Sequence, residues 1–145
     1  MKRQAEAWLN SAKDDLLTIQ EIIDNPLLTN IIAYHAQQAI EKSLKAFIET
    51  TAEDVPRIHN LITLRGIVGR KLEIEIDSNS FDQINELYVD SRYPTDIGYL
   101  PEGKPSIEKA MLFQKTAEDI CRQIEQALKK IRTVRLEYFC DKNEL

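Results

Sequence analysis

Apolar residues recur every three or four positions in stretch after stretch of this 145-residue chain, which is the period of an α-helix with one buried face. Along residues 3–23 the stripe is Ala5, Trp8, Ala12, Leu16, Ile19 and Ile23. Asn25-Pro26 should end that helix, since proline lacks an amide hydrogen and clashes with the preceding turn. Thr29 or Asn30 can cap a second helix continuing to about residue 50. A short helix over residues 60–68 follows from Leu61, Leu64, Ile67 and Val68. Ser80 and Gln83 have capping-box spacing for a helix through Phe81, Ile84, Leu87 and Tyr88, ending near Ser91-Arg92. Ser106 caps the last helix, whose stripe runs from Ile107 to Ile131. Strand-like alternation occurs at residues 72–77, LEIEID, and a lone strand finds no partner elsewhere in the sequence, so the segment is assigned to loop or helix extension. The expectation is an all-α chain: an up-and-down antiparallel four-helix bundle with an additional short helix at one end. It should occupy residues 1–131, with residues 132–145 as a C-terminal tail.

Within the second helix, His35, Gln38, Lys42 and Lys45 follow one another at spacings of three, four and three. They therefore share a narrow sector, opposite Ala36, Ile40, Leu44 and Phe47. Two ammonium groups, an amide and an imidazole can bind an anion, the lysines through charge and the others through directed hydrogen bonds. The plainer reading is a solvated face, because Glu41 and Glu49 stand one turn either side of Lys45.

Other residues break the pattern. Asp15 lies in the middle of the first helix's apolar stripe, whereas Asp14 faces outward. A carboxylate there requires a cation or hydroxyl from another helix, and His35, Lys42 and Arg92 are the leading partners. Tyr88 and Arg92 are one turn apart and are followed by Tyr93-Pro94, a group suited to gripping phosphate and stacking on a base, or to ordinary packing at a bundle end. His59, beside a proline-led loop, is expected to be a hydrogen-bonded structural residue. Residues 93–106 hold three prolines and two glycines and read as a long surface loop.

Composition narrows the options. A net charge of −5 excludes a protein that coats nucleic acid by charge alone, so nucleotide or RNA binding must be local. The run Lys129, Lys130, Arg132 and Arg135 is one local basic patch. No apolar stretch is long enough for a membrane span and no secretory leader is visible, which points to a cytoplasmic protein without membrane contact. Cys121 and Cys140 stand apart and read as free thiols. The two histidines are far apart, and neither a metal site nor a phosphate-cradling glycine motif is present, so no cofactor is expected.

Four ordered pieces carry a family resemblance: Trp8-x-x-x-Ala12-x-x-Asp15-Leu16, YHAQQAIEKSLKAFI over residues 34–48, Pro56-x-x-His59-x-Leu61, and Tyr88-x-x-x-Arg92-Tyr93-Pro94. Together they resemble the HEPN domain, the higher eukaryotes and prokaryotes nucleotide-binding family, over residues 5–128. The resemblance implies a bundle similar to the substrate-binding domain of kanamycin nucleotidyltransferase, commonly a homodimer. It also implies a minimal nucleotidyltransferase as partner in a two-gene toxin and antitoxin module, and in many members ribonuclease activity. The signature positions it carries over are Asp15, His35, Gln38, Lys42, His59, Arg92 and Tyr93. The sequence departs from nuclease members in one respect: no Arg precedes a His by the four to six intervening residues they share. Arg92 can supply the cation such a nuclease needs, and His59 or His35 would have to supply the base. Three functions thus compete: a nucleotide- or RNA-binding protein, a metal-independent ribonuclease, and a bundle that only docks a partner.

Overall fold

The computed structural model describes residues 3–87 and 97–143. Among these the chain is helical: α1 (Arg3–Ile22), a 3-10 turn (Pro26–Leu28), α2 (Thr29–Ile48), α3 (Leu61–Gly69), α4 (Ser78–Asn85) and α5 (Ile107–Asn143). The all-α expectation holds. Within the described residues α4 spans 8 residues and turns at Glu86, and the remainder of the helix expected up to Arg92 lies outside them. Asn85 is drawn away to α3, where its Oδ1 accepts the Leu61 N–H at 2.7 Å. Expectations for Tyr88, Arg92 and Tyr93 lie outside the described residues.

Local chemistry explains most boundaries. Asn60 caps α3 by accepting the Thr63 N–H at 3.0 Å, and Ser106 caps α5 by accepting the Lys109 N–H at 3.1 Å. At α4 the cap is Asp77 instead of Ser80: its carboxylate accepts from Asn79 and Ser80, so the helix begins two residues before Ser80. Neither Thr29 nor Asn30 caps α2. The 3-10 turn runs directly into that helix, Asn25 caps the turn by accepting the Leu27 N–H, and Thr29 is already buried inside α2.

Helix α2 is central, packing against α1, α3, α4 and α5. Its Ala36, Ile40, Leu44 and Phe47 are buried as the period demanded. From α5, Phe113, Ile120 and Ile124 are fully buried against the same core, each stabilising the fold by about 1.5–3 kcal/mol relative to an exposed side chain. Cys121 is buried beside Ser43 of α2, and that burial pushes its thiol above the ordinary value. Among the described residues both cysteines are free.

Two connections brace the long helices. The alternating segment, residues 72–77, forms neither strand nor helix extension. Glu75 offers its N–H to Gln123 Oε1 and its carbonyl to Gln123 Nε2, both at 2.8 Å, so one side-chain amide of α5 takes the place of a neighbouring strand. The other connection lies against the start of α2. Asn30 Nδ2 donates to the Ile97 carbonyl at 3.3 Å and Lys104 Nζ to the Leu27 carbonyl at 2.9 Å. Gly98 has φ 72° and is pressed so closely on Asn30 that a Cβ would overlap its carbonyl. This part of the expected surface loop is thus tied down, with Gly98 and Leu100 buried. Helix α5 also continues past residue 131 into the expected tail, as far as Asn143.

Candidate functional site

A polar band on α2 gathers most of the chemistry foreseen in the sequence. Asp15 reaches it from α1, 7% exposed. Its Oδ1 lies 2.8 Å from His35 Nδ1 and its Oδ2 accepts from Lys42 Nζ at 2.8 Å. Two of the three partners named for Asp15 thus meet it, and the third, Arg92, lies outside the described residues. A carboxylate oxygen only accepts, so the bond to His35 places a proton on Nδ1 and leaves Nε2 uncommitted among the described residues. Lys42 spends one of its three N–H donors on Asp15. The side chains of His35 and Lys42 stay 22% and 21% exposed, so their remaining polar atoms retain access to solvent.

A second carboxylate–imidazole pair stands farther along α2. Glu41, buried, has Oε1 2.7 Å from His59 Nδ1, while the His59 side chain is 59% exposed. The loop histidine is hydrogen-bonded, as expected, and the bond again frees Nε2. On its other oxygen Glu41 faces Lys45 Nζ at 3.8 Å. Here the structure corrects the sequence reading: Lys45 is 5% exposed and is no solvated surface lysine. Trp8 of α1 covers it, with the ammonium 5.5 Å from the ring centroid, and the indole Nε1–H donates to Glu49 Oε1 at 3.3 Å. The glutamates spaced around Lys45 pair with it and with Trp8 inside a contact between helices.

Between the two pairs, Gln38 Nε2 donates to Gln37 Oε1 at 2.7 Å. Gln37 is 1% exposed, and among the described residues its own Nε2 is buried without a hydrogen-bond partner. At about 100° per residue, His35, Lys42, Gln38, Lys45, Tyr34, Glu41 and Gln37 follow one another around α2 as a continuous polar sector. It is open at the His35 edge and buried at the Gln37 edge.

Charge within the band is nearly balanced. Asp15 offsets Lys42, and Glu41 offsets Lys45, so a bound anion would draw mainly on hydrogen bonds unless an imidazole is protonated and both of its nitrogens donate. Among the described residues, no three His, Cys, Asp or Glu side chains gather so as to hold a metal ion, and no helix is long and apolar enough to cross a membrane.

Sequence reasoning did not single out Glu41, Gln37 or Trp8 as parts of this site. The signal was present for Glu41, which falls in the same sector as the stripe, but Lys45 one turn away already accounted for its charge. The other three candidates, Tyr88, Arg92 and Tyr93, lie outside the described residues.

The family model of the HEPN domain matches residues 5–134. No curated protein and no solved structure matches the chain.

Proposed function

The chain belongs to the HEPN domain family, and from that premise we propose that it binds a nucleotide or RNA phosphate on the polar band of α2. It acts as a homodimer beside a minimal nucleotidyltransferase, as one half of a toxin and antitoxin module. On this reading its helical fold is related to that of the substrate-binding domain of kanamycin nucleotidyltransferase. The observation that carries the binding reading is the open edge of the band. His35 and Lys42 are fixed by Asp15 at 2.8 Å each, yet they keep a ring nitrogen and two ammonium hydrogens for a ligand. Fixing them beforehand lowers the ordering cost of binding. Gln38 adds a neighbouring amide, and Arg92, with Tyr88 and Tyr93, supplies the guanidinium and aromatic faces that phosphate and base require.

Titration of the purified protein with ATP and with short RNA tests this reading. Trp8 offers a fluorescence signal from within the same helix pair. Wild type binds, and Lys42→Ala and Arg92→Ala each weaken binding about tenfold or more, equivalent to roughly 1.4 kcal/mol, with helical content retained. Absence of binding by wild type, or binding indifferent to both substitutions, overturns it.

A second reading is favoured by one specific feature, the Glu41–His59 pair. A buried carboxylate that orients an exposed imidazole through Nδ1 is the arrangement that general bases use. On that reading the protein is a metal-independent ribonuclease in which His59, or His35 on Asp15, takes the 2′-hydroxyl proton and Arg92 steadies the phosphate. It requires RNA cleavage in the presence of a chelator that disappears in His59→Ala or His35→Ala while the fold persists.

A further inference from the structure

The basic run near the end of α5 has no part in the polar band. From Gln126 through Leu136 the chain carries Lys129, Lys130, Arg132 and Arg135 and not one acidic residue, although its net charge is −5. Helix α5 leaves the bundle here. Leu128 is 1% exposed and Ile131 is packed against the core, but from residue 132 through residue 141 every side chain is exposed. The projecting arm, residues 132–143, is about 18 Å long at 1.5 Å per residue. At about 100° per residue, Arg135, Phe139, Arg132, Leu136 and Lys129 follow one another within roughly 120° of the helix surface, cation and apolar group in alternation. Leu136 and Phe139 are 57% and 66% exposed. Glu137 and Asp141 fall on the far side, with Lys130. Neither arginine has an acidic residue three or four positions away in either direction. The acid next back along their face, Glu125, is held by Lys13 and Lys129 at 2.9 and 3.3 Å. The arm lies almost wholly beyond residue 134, where the family match ends.

This mixture of groups selects the occupant. Val134, Leu136 and Phe139 span about 200° of the arm, and both arginines fall among them. A helix lying in a membrane surface keeps its cations to the borders of the apolar face. A dry seam against another helix would bury two guanidinium groups without partners. A polynucleotide strand, in contrast, asks for what is present. Guanidinium groups grip phosphate oxygens in pairs and stack on bases, and an exposed aromatic ring offers a platform for a base. A duplex hides its base faces and would leave Phe139 unused. We propose that the arm binds a single-stranded polynucleotide, with Arg132 and Arg135 on its phosphates and Phe139 beneath a base. The inference goes beyond the reading above, since the arm supplies none of the residues of the α2 band and its ligand is a strand, not a mononucleotide.

Fluorescence anisotropy of the full chain with a labelled oligouridine of about 12 nucleotides, within the range of single-strand sites, is the test. Wild type should bind at low salt and lose affinity as salt is raised, with a logarithmic slope of about −0.7 per phosphate contacted. Arg132→Ala and Arg135→Ala should each weaken binding about fivefold or more and flatten that slope by about 0.7. Phe139→Ala should weaken it about fivefold or more with the slope unchanged, because stacking releases no counterions. Lys130→Ala removes the same charge from the far side and should change the dissociation constant less than about twofold. Circular dichroism of all four variants, and their titrations with ATP, should match wild type. Failure of wild type to bind the oligouridine overturns the inference, and the ATP titration still reads the α2 band on its own. Binding indifferent to the arm substitutions but lost in Lys42→Ala also overturns it, leaving the band as the whole site. An equal loss in Lys130→Ala, tighter binding of a duplex of the same length, or binding of phosphatidylserine vesicles in place of the oligouridine likewise overturns it.

Discussion

Replacing Asp15 with alanine asks whether the polar band is held from α1. The substitution removes both acceptors, at 2.8 Å from His35 Nδ1 and 2.8 Å from Lys42 Nζ. A hydrogen bond to a charged group is worth about 1.5–3 kcal/mol, and stripping one partner from a buried ion pair costs about 3–5 kcal/mol. His35 and Lys42 are about one-fifth exposed, so water recovers part of that loss, and a net cost of roughly 2–3 kcal/mol is expected. For 145 residues the unfolding entropy near the midpoint is about 0.3 kcal/mol per kelvin, so Tm should fall by roughly 7–10 °C. Asp15→Asn should cost less, about 1–2 kcal/mol, because one of its two positions still accepts. Thermal unfolding followed by circular dichroism supplies the measurement, and a double-mutant cycle with Lys42→Ala supplies the coupling, expected at about 1 kcal/mol or more. A Tm shift below about 2 °C, or additive effects in the cycle, would refute the claim that this carboxylate fastens α1 to α2.

Two further predictions concern parts of the structure away from the band. Gly98→Ala should destabilise the fold by more than about 2 kcal/mol in urea titration, since the new Cβ overlaps the Asn30 carbonyl and φ is 72°; a neutral result would mean that the loop does not lie on α2. At the α1–α5 contact, Lys13 Nζ is 2.9 Å from Glu125 Oε2. That ammonium holds the Glu125 carboxyl below its ordinary value, against the opposing effect of burial and with help from Lys129. A depressed carboxylate stabilises the fold above its unfolded pKa, about 4.3, and the gain is lost as pH falls through the folded value. Lys13→Ala should therefore lower Tm by about 1–3 °C at pH 7, and the difference from wild type should close as the medium is acidified below about pH 4; a gap independent of pH would contradict the pairing.

Helical period carried much of this into view from sequence. Asp15 stood in an apolar stripe, and the physical cost of leaving it alone named His35 and Lys42 before any coordinates did. Period is a local property, however, and Lys45 shows its reach. Its neighbours one turn away are acidic, which by local rules makes a solvated ladder; burial by Trp8 and the capture of Glu41 by His59 are decided by contacts 37 and 18 residues apart in the chain. The α4 boundary failed for a related reason. Asp77 and Ser80 both present cap chemistry, and Asn85, the last residue of α4, gives its side chain to the distant Leu61 amide. The α2 start failed because the 3-10 turn satisfied the entry without a side-chain cap.

The grip of Gln123 on Glu75 has a consequence for how this protein could fail. Leu72, Ile74 and Ile76 alternate with charged residues, and each packs wholly or partly against the core. Detached from α5, the same segment would present a bare backbone edge with every second side chain apolar, the form from which β-aggregation starts. Gln123 and the core close that edge in the folded chain. Loosening of the middle of α5 therefore does more than cost stability, because it releases a template for misassembly, and precipitation under mild heating should begin from there.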